Sequence, residues 1–387
     1  MANKCLYFRS RHKSRTQIFT KVSDLPAEWD VLVPAKHFLA RTNLLVSERA
    51  RFPDIQLYYV VEYLEEQLIG CGYFQLLHIH SKHYHPKSSF GRLSWKVLVN
   101  LFRPKLLVAG HLFRHDIESF YSCFESPYEQ FLAYRNMIEL LSNHINHVFL
   151  LIKDMPLRFN DYFLHQSKGF RILPNDISMV LDIRPTWLTM NDYVTDLKHK
   201  YSQRYRNIVS GFDHVNFVDL TLAQIKANQN QLMDLYHSVA KHQETSLGFL
   251  SDSYFALLKE QNPEEFKIYG FYKDEQLFAF FSFWLKNEEM DMFYIGFDYE
   301  SNQKFHTYFN LLFFSIEQAI NQRCKRIIFG RTALEAKARL GCKPIYLNTF
   351  FKIRNQFLAQ WINRRLDQNV GINATWEQRN PLKDLKV

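Results

Sequence analysis

The chain contains an internal repeat, and this repeat constrains the fold more strongly than any other feature of the sequence. Residues 66–70 (Glu-Gln-Leu-Ile-Gly) and residues 275–279 (Glu-Gln-Leu-Phe-Ala) lie about 209 positions apart. Each stands between two aromatic-rich apolar runs, which is the pattern of a strand, a tight acidic turn and a second strand. Two such hairpins at this spacing predict two copies of one domain.

The elements that follow each hairpin also repeat, in the order strand, helix, strand, short helix, strand. In the first half, the pattern covers residues 106–110, 127–145, 147–153, a short helical stretch to 168, and 171–182. In the second half, it covers residues 290–298, 306–322, 326–329, 333–340 and 344–353. The offset between the halves shrinks along the chain, so we infer an insertion of roughly 25 residues within residues 79–105 of the first half.

The boundary between the halves is predicted at Arg184-Pro185, because proline cannot continue a strand ladder. We therefore expect a first domain at residues 1–184, a second at residues 185–355, and a basic amphipathic helix and tail at residues 356–387. An amphipathic helix at residues 189–210 is predicted to open the second half. Its basic face carries Lys198, Lys200, Arg204 and Arg206.

Composition limits the location and the partners of the protein. The net charge is +9 over 387 residues, which favours a nucleotide cofactor, RNA, an acidic carrier protein or an anionic lipid; a solubilising surface is the alternative. No run of 18 apolar residues predicts a membrane span, and the basic N-terminus lacks the apolar region of a secretory signal. Five scattered cysteines without a Cys-x-x-Cys pair indicate reduced thiols, so we expect a cytoplasmic protein.

The insertion carries two further patterns. Its histidines, at positions 78, 80, 83 and 85, alternate at strand-like spacing and suit zinc, but no Cys, Asp or Glu joins them. A solvated basic loop is the better interpretation, so we predict no metal site. The apolar stretch at residues 95–102 is compatible with a membrane surface at the inner face, with Lys96 and Arg103 at the headgroups. Packing against the core or a partner is the interpretation that the pattern favours.

The densest motif is Phe-Gly-Arg-Thr-Ala-Leu-Glu-Ala-Lys-Ala-Arg-Leu-Gly-Cys at residues 329–342. A β-rich run turns here into a helix, with Thr332 as the predicted cap and Gly341 as its left-handed end. Such a junction presents free backbone N–H groups that suit an anion. Arg331 would add a bidentate donor to a phosphate or a carboxylate.

In this motif and in the order of its elements, the chain resembles the GNAT acyltransferase superfamily over about residues 20–355. Ala333, Lys337 and Gly341 match the spacing of the terminal helix in that superfamily, and Gly169-Phe170 matches its end in the first half. The tandem arrangement is more closely similar to bacterial double-GNAT proteins linked to peptidoglycan biosynthesis. These are relatives of the Fem-type transferases, which move amino acids from aminoacyl-tRNA. The resemblance implies an α/β (α+β) fold of two tandem GNAT-like domains, each a mixed, mostly antiparallel sheet flanked by helices.

The resemblance also implies a reaction in which an amine attacks an activated acyl donor directly. The donor would lie where the fourth and fifth strands, here residues 290–298 and 326–330, splay apart. Two departures argue against ordinary acetyl-CoA chemistry. The glycine-containing phosphate loop of coenzyme A-binding members is replaced by the glycine-free residues 298–306, and residues 114–127 of the first half also lack glycine. The tyrosine that protonates the leaving thiolate is replaced by His165 and Lys337. An acyl carrier protein or an aminoacyl-tRNA fits this loop better than acyl-CoA.

The candidate site residues all lie in the second half. We predict Glu244, Tyr294 and Lys337 as catalytic residues, Arg331, Thr332, His306 and Tyr308 as donor-binding residues, and Asp298 as an acceptor-binding residue. Glu244 would act as the base and Lys337 would replace the missing acid. The structural alternatives are a helix-end carboxylate for Glu244, a solvated lysine for Lys337, a surface ion pair for Arg331 and a turn residue for Asp298. In the first half, His111 and Arg114 are weak candidates, and that half is expected to be a scaffold.

The expected function is N-acyl or aminoacyl transfer that forms an amide on an amine-bearing acceptor. The acceptor would be an amino sugar, an amino acid, or a peptidoglycan or lipid precursor of the cell envelope. The donor would be acyl-CoA, an acyl carrier protein or an aminoacyl-tRNA, without a metal. The alternative is a non-catalytic GNAT-like protein that binds an anionic envelope lipid or RNA.

Overall fold

The computed structural model describes residues 14–84, 89–114, 117–167, 169–173, 176–212, 214–243, 246–360, 364 and 376–384. Contacts divide the chain into two compact units. Unit 1 comprises Met1–Pro174, Glu244–Ser251 and Leu347–Gly371, and unit 2 comprises Asn175–Gln243, Asp252–Tyr346 and Ile372–Val387. The chain therefore passes from one unit to the other more than once. Most of the predicted C-terminal helix and tail, at 361–363 and 365–375, lies outside the described residues.

Strands and helices alternate along both units. The strands are β1 (Ser14–Phe19), β2 (Ile55–Leu64), β3 (Gln67–His78), β4 (Lys105–Ala109), β5 (Phe120–Ser122), β6 (Phe149–Ile152), β7 (Arg171–Ile172), β8 (Ile177–Asp182), β9 (Asn216–Asp219), β10 (Phe266–Lys273), β11 (Gln276–Lys286), β12 (Glu289–Phe297), β13 (Arg326–Gly330), β14 (Lys343–Tyr346) and β15 (Phe350–Ile353).

The helices are α1 (Glu28–Leu32), α2 (Arg41–Ala50), α3 (Ser89–Phe102), α4 (Pro127–His144), α5 (Asn160–Gln166), α6 (Met190–Asp196), α7 (His199–Val209), α8 (Leu222–Ala227), α9 (Gln229–Ala240), α10 (Tyr254–Gln261), α11 (Tyr299–Phe305), α12 (Thr307–Asn321) and α13 (Leu334–Ala338). No helix within the described residues is long and apolar enough to cross a membrane.

The sheet of unit 1 has the strand order β1-β2-β3-β4-β6-β15-β7, and β5 also pairs with β3. Strands β2 and β3 form the first predicted hairpin, with Glu65 in the left-handed conformation at its turn. Strands β4 and β6 are parallel and stay paired to their ends, where Ala109 faces Ile152. One face of the sheet packs on α4 through the buried Phe131, Met137 and Leu141.

The sheet of unit 2 has the strand order β14-β8-β13-β12-β11-β10-β9. Strands β10 and β11 form the second predicted hairpin, with Asp274 and Glu275 left-handed at its turn. All neighbours in this sheet are antiparallel except β12 and β13, which are parallel. Helix α12 packs on the sheet through Leu311, Ile316 and Ile320, which are almost fully buried. The mixed, mostly antiparallel sheet with flanking helices predicted for each half is thus present in both units.

The last strands of the two halves differ from the prediction. The expected strand at 171–182 is divided into β7 and β8, which enter different sheets: β7 pairs with β15, and β8 pairs with β13 and β14. The expected strand at 344–353 is likewise divided into β14 and β15, and β15 joins the sheet of unit 1. Pro174 explains the first break, because proline donates no hydrogen bond to a ladder. Each sheet is therefore completed by a strand from the other half of the sequence.

The predicted helix at 189–210 is also divided. It forms α6 and α7, which are separated at Leu197 and Lys198. Both of these residues contact the C-terminal segment of unit 2: Leu197 forms a β-bridge with Leu382, and the Lys198 N–H donates to the Pro381 carbonyl at 2.8 Å. These backbone bonds draw the two residues into an extended conformation, so the apolar periodicity continues across the break while the helix does not.

Candidate functional site

Strands β12 and β13 separate at their carboxyl ends. Their pairing covers only three positions, from Glu289 opposite Arg326 to Asp291 opposite Ile328. Beyond this point β12 continues to Phe297 and β13 to Gly330 without a ladder between them. The splay that the resemblance implies is therefore present in unit 2. In unit 1 the corresponding strands, β4 and β6, remain paired to their ends.

A β-bulge lies in β12 at the start of this gap. Phe281 pairs with Ile295 and Phe283 pairs with Met292, so Phe293 and Tyr294 together face one residue of β11, Ser282. The Ser282 hydroxyl accepts a hydrogen bond from the Tyr294 N–H at 3.0 Å and donates one to the Tyr294 carbonyl at 3.0 Å. Ser282 is fully buried and holds the bulge in place.

Ser282 was missed in the sequence, although one signal pointed to it. It is the polar residue within the run Leu-Phe-Ala-Phe-Phe-Ser-Phe-Trp-Leu at 277–285. A hydroxyl in the middle of a buried strand needs a hydrogen-bond partner, and irregular backbone supplies one.

The glycine-free segment 298–306 folds as a short helix, α11. The Asp298 carboxylate caps it by accepting from the Ser301 N–H at 2.9 Å and the Ser301 hydroxyl at 3.0 Å. His306 is left-handed, with φ of 51°, and joins α11 to α12. The structure thus places Asp298 in the turn role that was the alternative to acceptor binding.

A basic cavity opens beside His306. Its volume is about 490 Å³, within the range of small-molecule sites. It lies between α7, the α11–α12 junction, the end of α13 and the C-terminal segment of unit 2. The residues that line it are Lys200, Tyr201, Gln203, Arg204, Asn207, Ile208, His306, Arg339 and Arg379.

The cavity keeps an excess of positive charge. Glu335 lies 3.6 Å from Arg339 and 4.0 Å from Arg379, and Glu377 also pairs with Arg379. Among the described residues, no carboxylate forms an ion pair with Arg204, whose guanidinium instead lies 4.9 Å from the centre of the Phe309 ring.

Partial burial and the nearby Arg339 guanidinium lower the pKa of Arg204 from its ordinary value. Two guanidinium groups in proximity repel each other, and an anion between them would relieve that repulsion. The cavity is therefore suited to a phosphate-bearing ligand.

Lys337 is buried rather than solvated. It is 3% exposed, and its Nζ donates to the carbonyl oxygens of Phe329 at 2.7 Å and Gly330 at 3.1 Å. Burial lowers the pKa of Lys337 to about 7, although the neighbouring Cys342 thiol acts in the opposite direction. The interpretation of Lys337 as a solvated surface lysine is therefore wrong, because the helix α13 turns this side chain back onto the end of β13.

Arg331 forms an ion pair with Asp176. Its Nε lies 2.7 Å from Asp176 Oδ1, and its second contact to Oδ2 is 3.4 Å. Thr332 does not cap α13, contrary to the prediction. The N-cap position is Ala333, which is left-handed with φ of 53°, and Thr332 is exposed. The predicted left-handed end of this segment is confirmed, since Gly341 has φ of 97°.

The two candidate tyrosines lie apart from the cavity lining. The Tyr294 ring packs edge-on against Tyr236 at 5.3 Å, and burial raises its pKa well above the ordinary value. Tyr308 follows His306 at the start of α12, where its N–H donates to Asn302 Oδ1 at 2.9 Å and burial raises the pKa of its phenol. Glu244 lies outside the described residues. Of the candidates that the structure describes, His306 is the one that lines the basic cavity.

The residues of the cavity that the sequence did not single out are Lys200, Arg204, Arg339 and Arg379. Two of them belong to the basic face predicted for 189–210, where Lys200 and Arg204 are spaced one helical turn apart. Arg339 follows Lys337 in the densest motif, and Arg379 had no local signal.

The candidates of the first half occupy a different environment. His111 and Arg114 are buried in the segment 110–119, which connects β4 to β5 and lies opposite Tyr73 of β3. The His111 ring stacks on Tyr73 at 5.6 Å. His165 is exposed on α5.

The histidines of the insertion contact a carboxylate rather than a metal group. His80 Nε2 and Lys82 Nζ lie 3.2 Å and 2.5 Å from the two oxygens of Asp54. Burial lowers the pKa of His83 to about 4. Within the described residues, no group of three or more His, Cys, Asp or Glu could hold a metal ion. His85 lies outside them.

Comparison with solved structures returns proteins of the classes that the sequence resembles. FemX is 9% identical over 83% of this chain and 98% of its own, with a TM-score of 0.48. L-PGS from Bacillus licheniformis is 10% identical over 85% and 97%, with a TM-score of 0.47. A tandem GNAT protein from the clavulanic acid biosynthesis pathway is 9% identical over 89% and 99%, with a TM-score of 0.47.

No protein-family model matches the chain, and no curated protein matches it. Because these TM-scores are below 0.5, the proposals below rest on the geometry of this chain and on the resemblance in its sequence.

Proposed function

We propose that the protein is a transferase that moves an acyl or aminoacyl group from an activated donor to an amine-bearing acceptor, with its site in unit 2. One observation carries the proposal. Parallel strands β12 and β13 part after Asp291 and Ile328, and the helix that follows β12 begins at the edge of a basic cavity. An acyl group would enter the gap, and the phosphates of its carrier would occupy the cavity.

Side-chain cations supply the donor site in this proposal. Arg204 and Arg339 come from different helical segments and converge on the cavity with His306. Coenzyme A, the phosphopantetheine arm of a carrier protein and the 3′ end of a tRNA all carry phosphate, so each can satisfy these cations. Arg331 is assigned a positioning role, because its ion pair with Asp176 fixes the β13–α13 junction.

The reaction joins the acceptor nitrogen to the donor carbonyl carbon and breaks the bond from that carbon to sulfur or oxygen. The ammonium form of the acceptor must lose a proton, and the leaving thiolate or alkoxide must gain one. Lys337 is the candidate proton donor, since it lies at the end of β13 and a pKa of about 7 leaves it partly protonated at neutral pH. Glu244 is the candidate base, and Tyr294 borders the gap at the bulge.

The donor site can be tested by calorimetric titration of the full chain with coenzyme A, acetyl-CoA and a bulk tRNA preparation. Saturable binding of at least one of these is expected. Arg204→Ala should weaken that binding by about 10- to 100-fold, as expected for the loss of a charged hydrogen bond. The matched control is Arg206→Ala, because Arg206 is an exposed arginine of the same helix that does not line the cavity. If both variants bind like the wild-type protein, the cavity is not the donor site.

The non-catalytic alternative is favoured by one observation, the folding of 298–306 as α11 in place of a phosphate loop. In that case tRNA would bind in an Arg204-dependent manner, but amines would remain unmodified. Mass spectrometry of amino sugars, amino acids and lysine peptides after incubation with acetyl-CoA or aminoacyl-tRNA separates the two functions. An added acyl mass that is lost in Lys337→Met and Arg204→Ala supports the transferase.

A further inference from the structure

Helix α3 exposes an apolar face. Five large apolar side chains on this helix are between 50% and 72% exposed, namely Leu93, Val97, Leu98, Leu101 and Phe102. Residues 93, 97 and 101 follow one another at successive turns, as do 98 and 102, so these side chains form one continuous surface. The helix has 14 residues and is therefore about 21 Å long.

The opposite side of α3 attaches it to unit 1. Val99 is 2% exposed, and the Trp95 ring packs edge-on against Tyr84 at 5.4 Å. The apolar face is therefore not the side of the helix that packs into the protein. An exposed contiguous face of this kind on an otherwise polar surface marks an interaction site.

The charge of the insertion indicates what the face binds. Residues 79–105 contain six lysines and arginines and no aspartate or glutamate, which is a formal charge of +6 out of +9 for the whole chain. Lys82 is paired with Asp54. Lys96 lies within the apolar stretch and Arg103 directly follows it, and both are exposed. An apolar protein partner would not require this charge, whereas an anionic lipid surface requires both features.

We propose that α3 docks the protein on the surface of an anionic lipid bilayer. Leu101, Phe102 and their neighbours enter the boundary between headgroups and acyl chains, and the flexible stems of Lys96 and Arg103 carry their charges to the headgroups. The helix is too short to span the bilayer and lies in its plane. This docking does not depend on the proposed transfer reaction.

The test is flotation of the full chain with vesicles of phosphatidylcholine alone or of phosphatidylcholine mixed with phosphatidylglycerol. Binding is expected to the mixed vesicles and to weaken as salt is raised. The double variant Leu101→Ser/Phe102→Ser should bind at least tenfold more weakly, and Lys96→Gln should bind several-fold more weakly. Because Leu101 and Phe102 are exposed, the double variant is expected to fold normally, which circular dichroism checks.

Matched controls come from the same unit. Val31→Ser/Leu157→Ser removes two apolar side chains that are also exposed but lie outside α3, and Lys36→Gln removes an exposed charge elsewhere. Both should bind the mixed vesicles like the wild-type protein. Equal binding to both kinds of vesicle, failure to bind the mixed vesicles, or unchanged binding by the double variant would overturn the proposal. Sedimentation velocity completes the test: a dimer that the double variant loses, without vesicle binding, would instead make α3 a contact between copies of the chain.

Discussion

Replacing Lys337 with methionine should make the stability of the protein less dependent on pH. Lys337 is 3% exposed, and burial lowers its pKa from 10.5 to about 7. In the unfolded chain the amine keeps its ordinary pKa, so between pH 7 and 10.5 the unfolded state binds a proton that the folded state has released. Stability therefore rises with pH across this window, and the cost of burying the charge is greatest below pH 7.

The magnitude follows from the pKa difference. A displacement of 3.5 pKa units corresponds to a ceiling of about 5 kcal/mol in the free energy of unfolding. Between pH 7 and about pH 8.5, a group with a folded pKa of about 7 contributes an increase of roughly 1.6 kcal/mol. The window avoids the buried histidines His37 and His83, whose pKa values are lowered to about 4. It also lies below the pKa of the buried cysteines, which burial raises.

The measurement is urea unfolding followed by circular dichroism at several pH values in this window. The difference in unfolding free energy between the wild-type protein and Lys337→Met should change by roughly 1.6 kcal/mol in favour of the wild type as pH rises from 7 to about 8.5. The control is Lys343→Met, because Lys343 is exposed at the start of β14 and its loss should leave the pH dependence unchanged. A constant difference between wild type and Lys337→Met would refute the burial argument.

Two further substitutions test the structural roles found at the site. Arg331→Ala should lower the free energy of unfolding by about 1–3 kcal/mol, because the buried Asp176 loses a bidentate partner; unchanged urea stability would contradict this, and any activity loss must be compared with Arg331→Lys. Asp298→Ala should cost about 1 kcal/mol through loss of the α11 cap, whereas Glu300→Ala on the exposed face of the same helix should be neutral. Thermal unfolding of both variants checks the second prediction, and equal effects would contradict the capping role.

The sequence predicted the local elements of the fold well because they depend on local patterns. Both hairpins, the long helices α4 and α12 and the separation of β12 from β13 lie where the repeat placed them. The destination of the last strands was not predictable in the same way. A run such as β8 is apolar on both faces, which indicates a central strand but does not say which sheet it enters.

The basic cavity shows the same limit at the level of the site. Its cations come from four separate segments, around residues 200–208, 306, 339 and 379. Periodicity assigned Lys200 and Arg204 to one helical face, but the neighbours of that face depend on tertiary packing. Lys337 was misread for a related reason: an isolated lysine on a helix is usually solvated, and its burial depends on the carbonyls of Phe329 and Gly330 at the end of β13.

The missing glycines and the basic cavity are best understood together. In α11 the Asp298 carboxylate binds the Ser301 N–H at the start of the helix, so this end offers an anion less free backbone than a glycine loop does. Arginine and lysine side chains around His306 supply the positive charge instead. Long side chains adjust to phosphates in several positions, whereas a backbone loop fixes one pyrophosphate. We therefore expect a carrier-bound or tRNA-bound donor to be accepted more readily than free coenzyme A, and its binding to fall steeply with salt because it rests on charge.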